Sequence, residues 1–158
     1  VVASAKNLAD GLMARGFELV SNGTDVHHVV MDFRRTHPAL TGKDAVAKLQ
    51  AAGLITSAST VPGDQRNPML TSGLRVGTPA FIARGGTVKE TNQIAAWFYR
   101  VLTCNQIESV GSDVEAWCRD HDPYPTRRAE DVDFTVPVET DWHCDSQGEK
   151  VGDSYEVP

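Results

Sequence analysis

Apolar residues at Val1, Ala5, Leu8 and Leu12 recur every three to four positions through "VVASAKNLADGLMARGF" and predict an amphipathic helix with one buried stripe. Gly16, just past the last of them, suits the positive-φ position that closes a helix. "FELV" and "HHVVMDF" are rich in β-formers and flank "SNGTD", whose Asn22-Gly23 pair signals a turn, so the two runs are expected to pair antiparallel. "LTGKDAVAKLQAAG" sets Thr41 and Asp44 at capping-box spacing ahead of Val46, Leu49 and Ala52, with Gly53 as the stop, and predicts a second helix. "LITSAST" reads as a short strand, "VPGDQRNP" as a loop and "LRVGTPAFI" as a returning strand. Thr87 and Glu90 form a capping box before "IAAWFYRVL"; Ser112 and Glu115 repeat the spacing before Val114, Trp117 and Cys118. This order predicts an α+β fold, helices packed on a small, mostly antiparallel sheet. Beyond "DPYPTRR" the period changes, and Val132, Phe134, Val136, Val138 and Trp142 share one face of an expected strand that Pro137 confines to an edge. The residues after Gln147 are expected to be loose.

Composition refines this picture in three places. A chain of 158 residues suffices for one compact domain with appendages. The net charge of -6 is concentrated late: ten acidic residues stand against Arg127, Arg128 and Lys150 from His121 onward, and such a tail repels nucleic acid. No nucleic-acid partner is expected, and with no apolar run approaching the roughly 18 residues a membrane span needs, no membrane partner either. Cys104, Cys118 and Cys144 form an odd, irregular set that favours a reducing, cytoplasmic setting. The first residues carry neither an initiator Met nor a signal-peptide pattern, so the chain is expected to begin inside an element.

The candidate chemistry lies between residues 67 and 86, in "NPMLTSGLRVGTPAFIARGG", where Arg75 and Arg84 have no acidic neighbour. An arginine held among apolar and small residues is either a structural ion-pair partner or a receptor for a planar anion, because its rigid fork matches a carboxylate bidentately. Spacing alone does not choose between them. Other constellations read as structural. Cys118, His121, His143 and Cys144 supply soft ligands, but adjacent residues rarely chelate one zinc ion and a Pro-rich linker separates the halves, so no metal site is expected. Gly77, Gly85 and Gly86 lack dinucleotide spacing; Ser72-Gly73 lacks the first glycine of a nucleophile elbow; Trp97 and Phe98 belong to the core face of a helix.

The stretches "VVASAKNLADGLMARGFELVSNGTDVHHVVMDFR", "LTGKDAVAKLQAAG" and "VPGDQRNPMLTSGLRVGTPAFIARG" closely resemble the C-terminal small domain of serine hydroxymethyltransferases, in order and nearly without gaps from residue 1 to about 102. "TSGLRVGTP" is the most specific of these motifs. The resemblance implies the small domain of a fold-type I, aspartate aminotransferase-like pyridoxal phosphate enzyme over residues 1–103, followed at 104–158 by a helix and an acidic extension. It further implies that Arg75 grips the α-carboxylate of an amino-acid substrate, and that the catalytic site forms within an oligomer. Arg84 keeps its structural interpretation.

The chain departs from the family pattern in three ways. The run of threonines and histidine that precedes the family's coenzyme-binding lysine is missing, and Lys6, Lys43, Lys48, Lys89 and Lys150 fall in expected helices or the tail. Catalytic, coenzyme-binding and metal-binding residues are therefore not expected in this chain, and the coenzyme is expected to come with a large domain or a partner chain. Ser57-Ala58-Ser59 stands where the family commonly has Asn-Lys-Asn, the last of which is associated with tetrahydrofolate, so folate use is open. Val26 replaces a usual Asn; His27 matches the family histidine and His28 a more often apolar position, and both are read as structural. Three functions follow from the resemblance: a hydroxymethyltransferase-like component making or breaking a Cα–Cβ bond, a folate-independent threonine transaldolase or aldolase component, or a non-catalytic assembly subunit.

Overall fold

The computed structural model describes residues 1–123 and the residue pairs 143–144 and 150–151. Helix α1 (Val2–Met13) buries Ala5, Leu8, Ala9 and Leu12, all at or below 1% exposure, while Val1, expected on the same stripe, stays 47% exposed. Position 1 is the residue that precedes the first helical turn. Gly16 takes φ +87 and donates to Met13 O at 2.9 Å, and Phe17 N reaches back to Leu12 O at 3.2 Å, closing the helix. Strand β1 (Glu18–Leu19) pairs antiparallel with β2 (His28–Asp32), in the register Leu19 to Met31, as the sequence predicts. The link between them is longer than a two-residue hairpin and holds a 3-10 turn at Val20–Asn22.

Asp32 caps the short helix α2 (Phe33–Thr36), and Thr41 caps α3 (Gly42–Ala51) by accepting from the Asp44 amide at 3.0 Å. Strands β3 (Ser57–Ser59) and β4 (Gly73–Gly77) complete an antiparallel sheet of order β1-β2-β4-β3. The centre of the sheet thus joins segments more than forty residues apart, with Val30 opposite Arg75 and Met31 opposite Leu74. Period-2 alternation sends Val29, Met31, Leu74 and Val76 into the core and leaves His28, Val30 and Arg75 on the other face.

The returning strand predicted through "LRVGTPAFI" stops at Gly77, and Pro79–Ala83 forms helix α4. Pro79 cannot donate to a ladder, yet its fixed φ suits the first helical position. The box at Thr87 and Glu90 forms reciprocally: Glu90 Oε2 accepts from the Thr87 amide at 2.8 Å, and Glu90 N donates to Thr87 Oγ1 at 3.4 Å. It leads into α5 (Thr91–Leu102), whose Trp97, Phe98 and Val101 are core residues. The second expected box does not form. Helix α6 (Ile107–Asp120) starts five residues before Ser112, whose hydroxyl donates to Glu108 O at 3.2 Å inside the helix.

Helices α1 and α3 pack on the sheet, α5 on both, and α6 on α3 and α5. Leu8, Met31, Leu49, Leu74 and Phe98 are each 1% exposed or less, and burying such a side chain is worth about 1.5–3 kcal/mol. Val110 and Val114 of α6 join the same cluster, so the compact unit runs over Val1–Pro123 and includes the helix that the sequence groups with the acidic extension. A second unit, Tyr124–Pro158, contains β5 (His143–Cys144) paired antiparallel with β6 (Lys150–Val151). Lys150 and Val151, expected to be loose, are held by that ladder; the edge strand expected from Val132 to Trp142 lies outside the described residues.

Among the described residues no helix is long and apolar enough to cross a membrane.

Candidate functional site

Arg75 occupies the middle of β4, with Leu74 and Val76 on either side anchoring the strand in the core. Its side chain is exposed, and among the described residues it makes no hydrogen bond or ion pair. Its lateral neighbours are Val30 on β2 and Ser57 on β3, and Gly73 and Gly77 lie before and after it on the same face. The surround is small and uncharged. Gly77 is not demanded by packing, since a Cβ there would meet nothing nearer than Pro79 Cδ at 3.4 Å, and the lack of a side chain leaves room beside the guanidinium. Val30, which faces Arg75 across the ladder, also walls a cleft of about 280 Å³ with His28 and residues of the link between β1 and β2.

Other charged groups on this side are already matched. Arg34 binds Asp32 through Nη2 to Oδ2 at 2.7 Å and Nε to Oδ1 at 3.1 Å, and the hydrogen bonds from Arg34 outweigh burial to hold the Asp32 carboxyl below its ordinary value. Glu18 faces Arg35 at 3.4 Å. A larger cleft of about 370 Å³ is lined by Arg34, Asp64, Arg66 and Ser72. Its walls satisfy one another: Arg66 donates to Leu40 O and Pro38 O, and Asp64 receives the Ser72 amide and hydroxyl at 2.8 and 2.7 Å. The polar groups of the larger cleft are thus matched, whereas Arg75 is unmatched among the described residues.

Arg84 has a different setting. It ends α4, donates through Nη2 to Cys118 O at 2.9 Å and so meets the carbonyl end of α6, where the helix dipole favours a cation. Around it Phe81, Trp117 and His121 stack with centroids 4.8 and 4.0 Å apart, and Trp117 Nε1 donates to Glu90 Oε1 at 3.1 Å. This cluster ties α4 and α6 to the start of α5. His121 is committed here, with Nδ1 2.9 Å from Trp117 O, and among the described residues no group of three His, Cys, Asp or Glu is placed to hold a metal.

The two carboxylates in these networks predict acid sensitivity. Hydrogen bonds from Thr87 and Trp117 lower Glu90 from 4.5 to about 2. Burial acts to raise Asp64, but the Ser72 hydroxyl and the Arg66 and Ser72 amides outweigh it and hold it near about 2, against an ordinary 3.8. Both groups are more acidic folded than unfolded, so their stabilisation is complete above the unfolded values and is lost as the pH falls from about 5 toward 2. Chemical denaturation of residues 1–123 should show a falling midpoint over that window, with a shallower fall in Glu90→Gln; identical slopes would contradict the assignment.

His28, whose pattern reads as structural, lies on the Arg75 face opposite Gly77, lines the smaller cleft and leaves Nδ1 without a partner among the described residues. His27 is exposed, and its carbonyl accepts from the Thr78 amide at 3.1 Å. Strand alternation could have separated the two only with the register in hand. The Asp64–Ser72 contact carries no local signal, because it joins a loop aspartate to a serine eight residues later.

Helices covering one side of a four-stranded antiparallel sheet, with an exposed guanidinium on the other, define a small α+β domain. A family model described as serine hydroxymethyltransferase matches residues 1–98, and the chain belongs to that family. Similar proteins named serine hydroxymethyltransferase include one from Desulforapulum autotrophicum, 43% identical over 119 residues that cover 75% of this chain and 28% of the relative. Another, from Halorhodospira halophila, is 41% identical over 128 residues, 78% of this chain and 30% of the relative. A third, from Haloquadratum walsbyi, is 46% identical over 96 residues, 59% and 23% respectively. The chain spans less than a third of the length of the curated relatives it matches.

Proposed function

We propose that this chain is the substrate-clamping small domain of a pyridoxal phosphate-dependent, serine hydroxymethyltransferase-like enzyme acting on serine, glycine or a related β-hydroxy amino acid. The observation that carries this is Arg75: an exposed guanidinium, without a partner among the described residues, on a central strand of the sheet, in a chain of that family. Its fork accepts a carboxylate through two parallel hydrogen bonds and so fixes the orientation of the amino acid, which a point charge does not. Gly77, with no side chain, leaves space for the ligand, and the ladder fixes the backbone that carries the anchor.

The described residues do not themselves fit the coenzyme. Lys6, Lys43 and Lys48 lie on α1 and α3, in the helical layer, and Lys89 in the turn before α5; Lys6 is also paired with Asp25 at 3.0 Å. In this proposal the coenzyme-bearing lysine belongs to a large domain or partner chain, within an oligomer in the cytoplasm, and the contribution of the present residues is to bind and orient the amino acid.

A second function within the same chemistry, that of a folate-independent aldolase or transaldolase component, is favoured by one contact. The Ser59 hydroxyl, at the position associated with folate, donates to Thr60 O at 3.2 Å and is turned into its own loop. Coexpression of this chain with its coenzyme-bearing counterpart should give a yellow complex whose absorbance changes with glycine. Enhancement of that change by tetrahydrofolate supports hydroxymethyl transfer, and indifference supports the folate-independent reaction. A complex that binds no coenzyme and ignores glycine leaves the assembly role.

A further inference from the structure

Among the described residues Arg75 makes no side-chain hydrogen bond or ion pair, so the point from which its guanidinium reaches a ligand is set by the backbone of β4. That backbone is fixed immediately upstream. Ser72 is 1% exposed and has every polar atom engaged: its carbonyl accepts from the Phe33 amide at 3.0 Å, and its amide and hydroxyl both donate to Asp64, at 2.8 and 2.7 Å. Asp64 takes a third donor, the Arg66 amide, at 3.1 Å, which closes the loop between β3 and β4 on itself. Of the groups that grip Ser72, the Asp64 carboxylate is the one supplied by a side chain.

The next residue cannot shift to compensate. A Cβ at Gly73 would lie 2.6 Å from Val61 Cγ1, 2.8 Å from Met31 O and 2.9 Å from Ser59 O, so β4 enters the sheet through a slot with no slack. A change in the grip on Ser72 is therefore transmitted as a rotation or slip of the strand that carries Arg75, two residues inside it. We infer that Asp64 is a positioning residue for Arg75: its carboxylate, by holding both donors of Ser72, fixes the angle at which the guanidinium meets a substrate carboxylate. This deepens the proposed function and rests on Arg75 being the anchor. A carboxylate suits the task because it only accepts; the amide of Asn would turn a donor toward one of the three N–H or O–H groups it must satisfy.

The test is a double-mutant cycle in the coenzyme-loaded enzyme that contains this chain, with glycine affinity read from the coenzyme absorbance. Asp64→Asn should weaken glycine binding about tenfold with coenzyme affinity unchanged, because a small misdirection of a rigid fork costs this much. In an Arg75→Lys background the same substitution should change glycine binding by less than about twofold, since a flexible ammonium does not depend on the strand's angle. Ser72→Ala, which removes only the hydroxyl, should repeat the pattern more weakly and serves if Asp64→Asn does not fold. Equal losses in both backgrounds, or undiminished binding in Asp64→Asn, overturn the positioning role while leaving Arg75 as anchor. An Arg75→Lys protein that binds glycine like the parent removes the anchor itself, and the role of Asp64 falls with it.

Discussion

Arg75→Ala is expected to lower glycine affinity in the coenzyme-loaded enzyme by about a hundredfold to a thousandfold, the equivalent of two charge-assisted hydrogen bonds at roughly 1.5–3 kcal/mol each with some loss to water. The same substitution should leave the stability of the folded chain within about 0.5 kcal/mol of the parent, because the side chain is exposed and partnerless among the described residues. The two measurements together are diagnostic. A structural arginine loses stability when truncated, whereas a substrate anchor loses binding and keeps its fold. Coenzyme retention, followed by absorbance, should not change. Glycine titrations indistinguishable from the parent would end the assignment of Arg75.

The second large effect concerns Gly42, the first residue of α3. Its amide donates to Thr71 O at 3.1 Å, and the Lys43 amide donates to Leu70 O at 3.1 Å, so the start of α3 rests directly on the turn that feeds β4. A Cβ at position 42 would overlap Thr71 Oγ1 and the Gly73 carbonyl oxygen. Neither can retreat, since Thr71 is 4% exposed and held at φ +52, and Gly73 sits in the slot described above. Gly42→Ala should therefore destabilise the domain by about 3 kcal/mol, read as a fall in the urea midpoint at unchanged slope. Gly16→Ala is the contrast. Gly16 has φ +87 but open space around its Cβ position, so only backbone strain of about 1 kcal/mol is expected there. Similar losses at the two sites would mean that close approach is not what selects glycine at 42.

Both predictions converge on one piece of construction. Loop 60–72, the first turn of α3 and the end of β2 meet at Leu70 to Gly73, and the motif residues there serve to seat the strand. Within "TSGLR", Thr71 supplies the positive-φ turn, Ser72 the two donors for Asp64, Gly73 the close passage under Val61, and Leu74 the core anchor opposite Met31. Four of the five residues build the seat, and one faces out of it.

The sequence by itself determined the local elements and the family. Helices α1, α3 and α5 could be read because their stop or cap signals lie within three or four residues of the apolar stripe they serve, and β1 and β2 because two β-rich runs flank the Asn22-Gly23 turn signal. Arg75 could be singled out by motif, and Arg84 set apart as structural. What only the tertiary structure decided is everything that depends on distant segments meeting: that "PAFI" turns into a helix once β4 ends, that α6 begins well before Ser112, that His28 and not His27 shares a face with Arg75, and that Asp64 closes on Ser72. The physical reason is one of range, from the eight residues between Asp64 and Ser72 to the more than forty between β2 and β4. Propensity and capping act over one turn of chain, whereas the direction of a side chain on a sheet, and the room beside it, are fixed by strands and helices that approach from more than forty residues away.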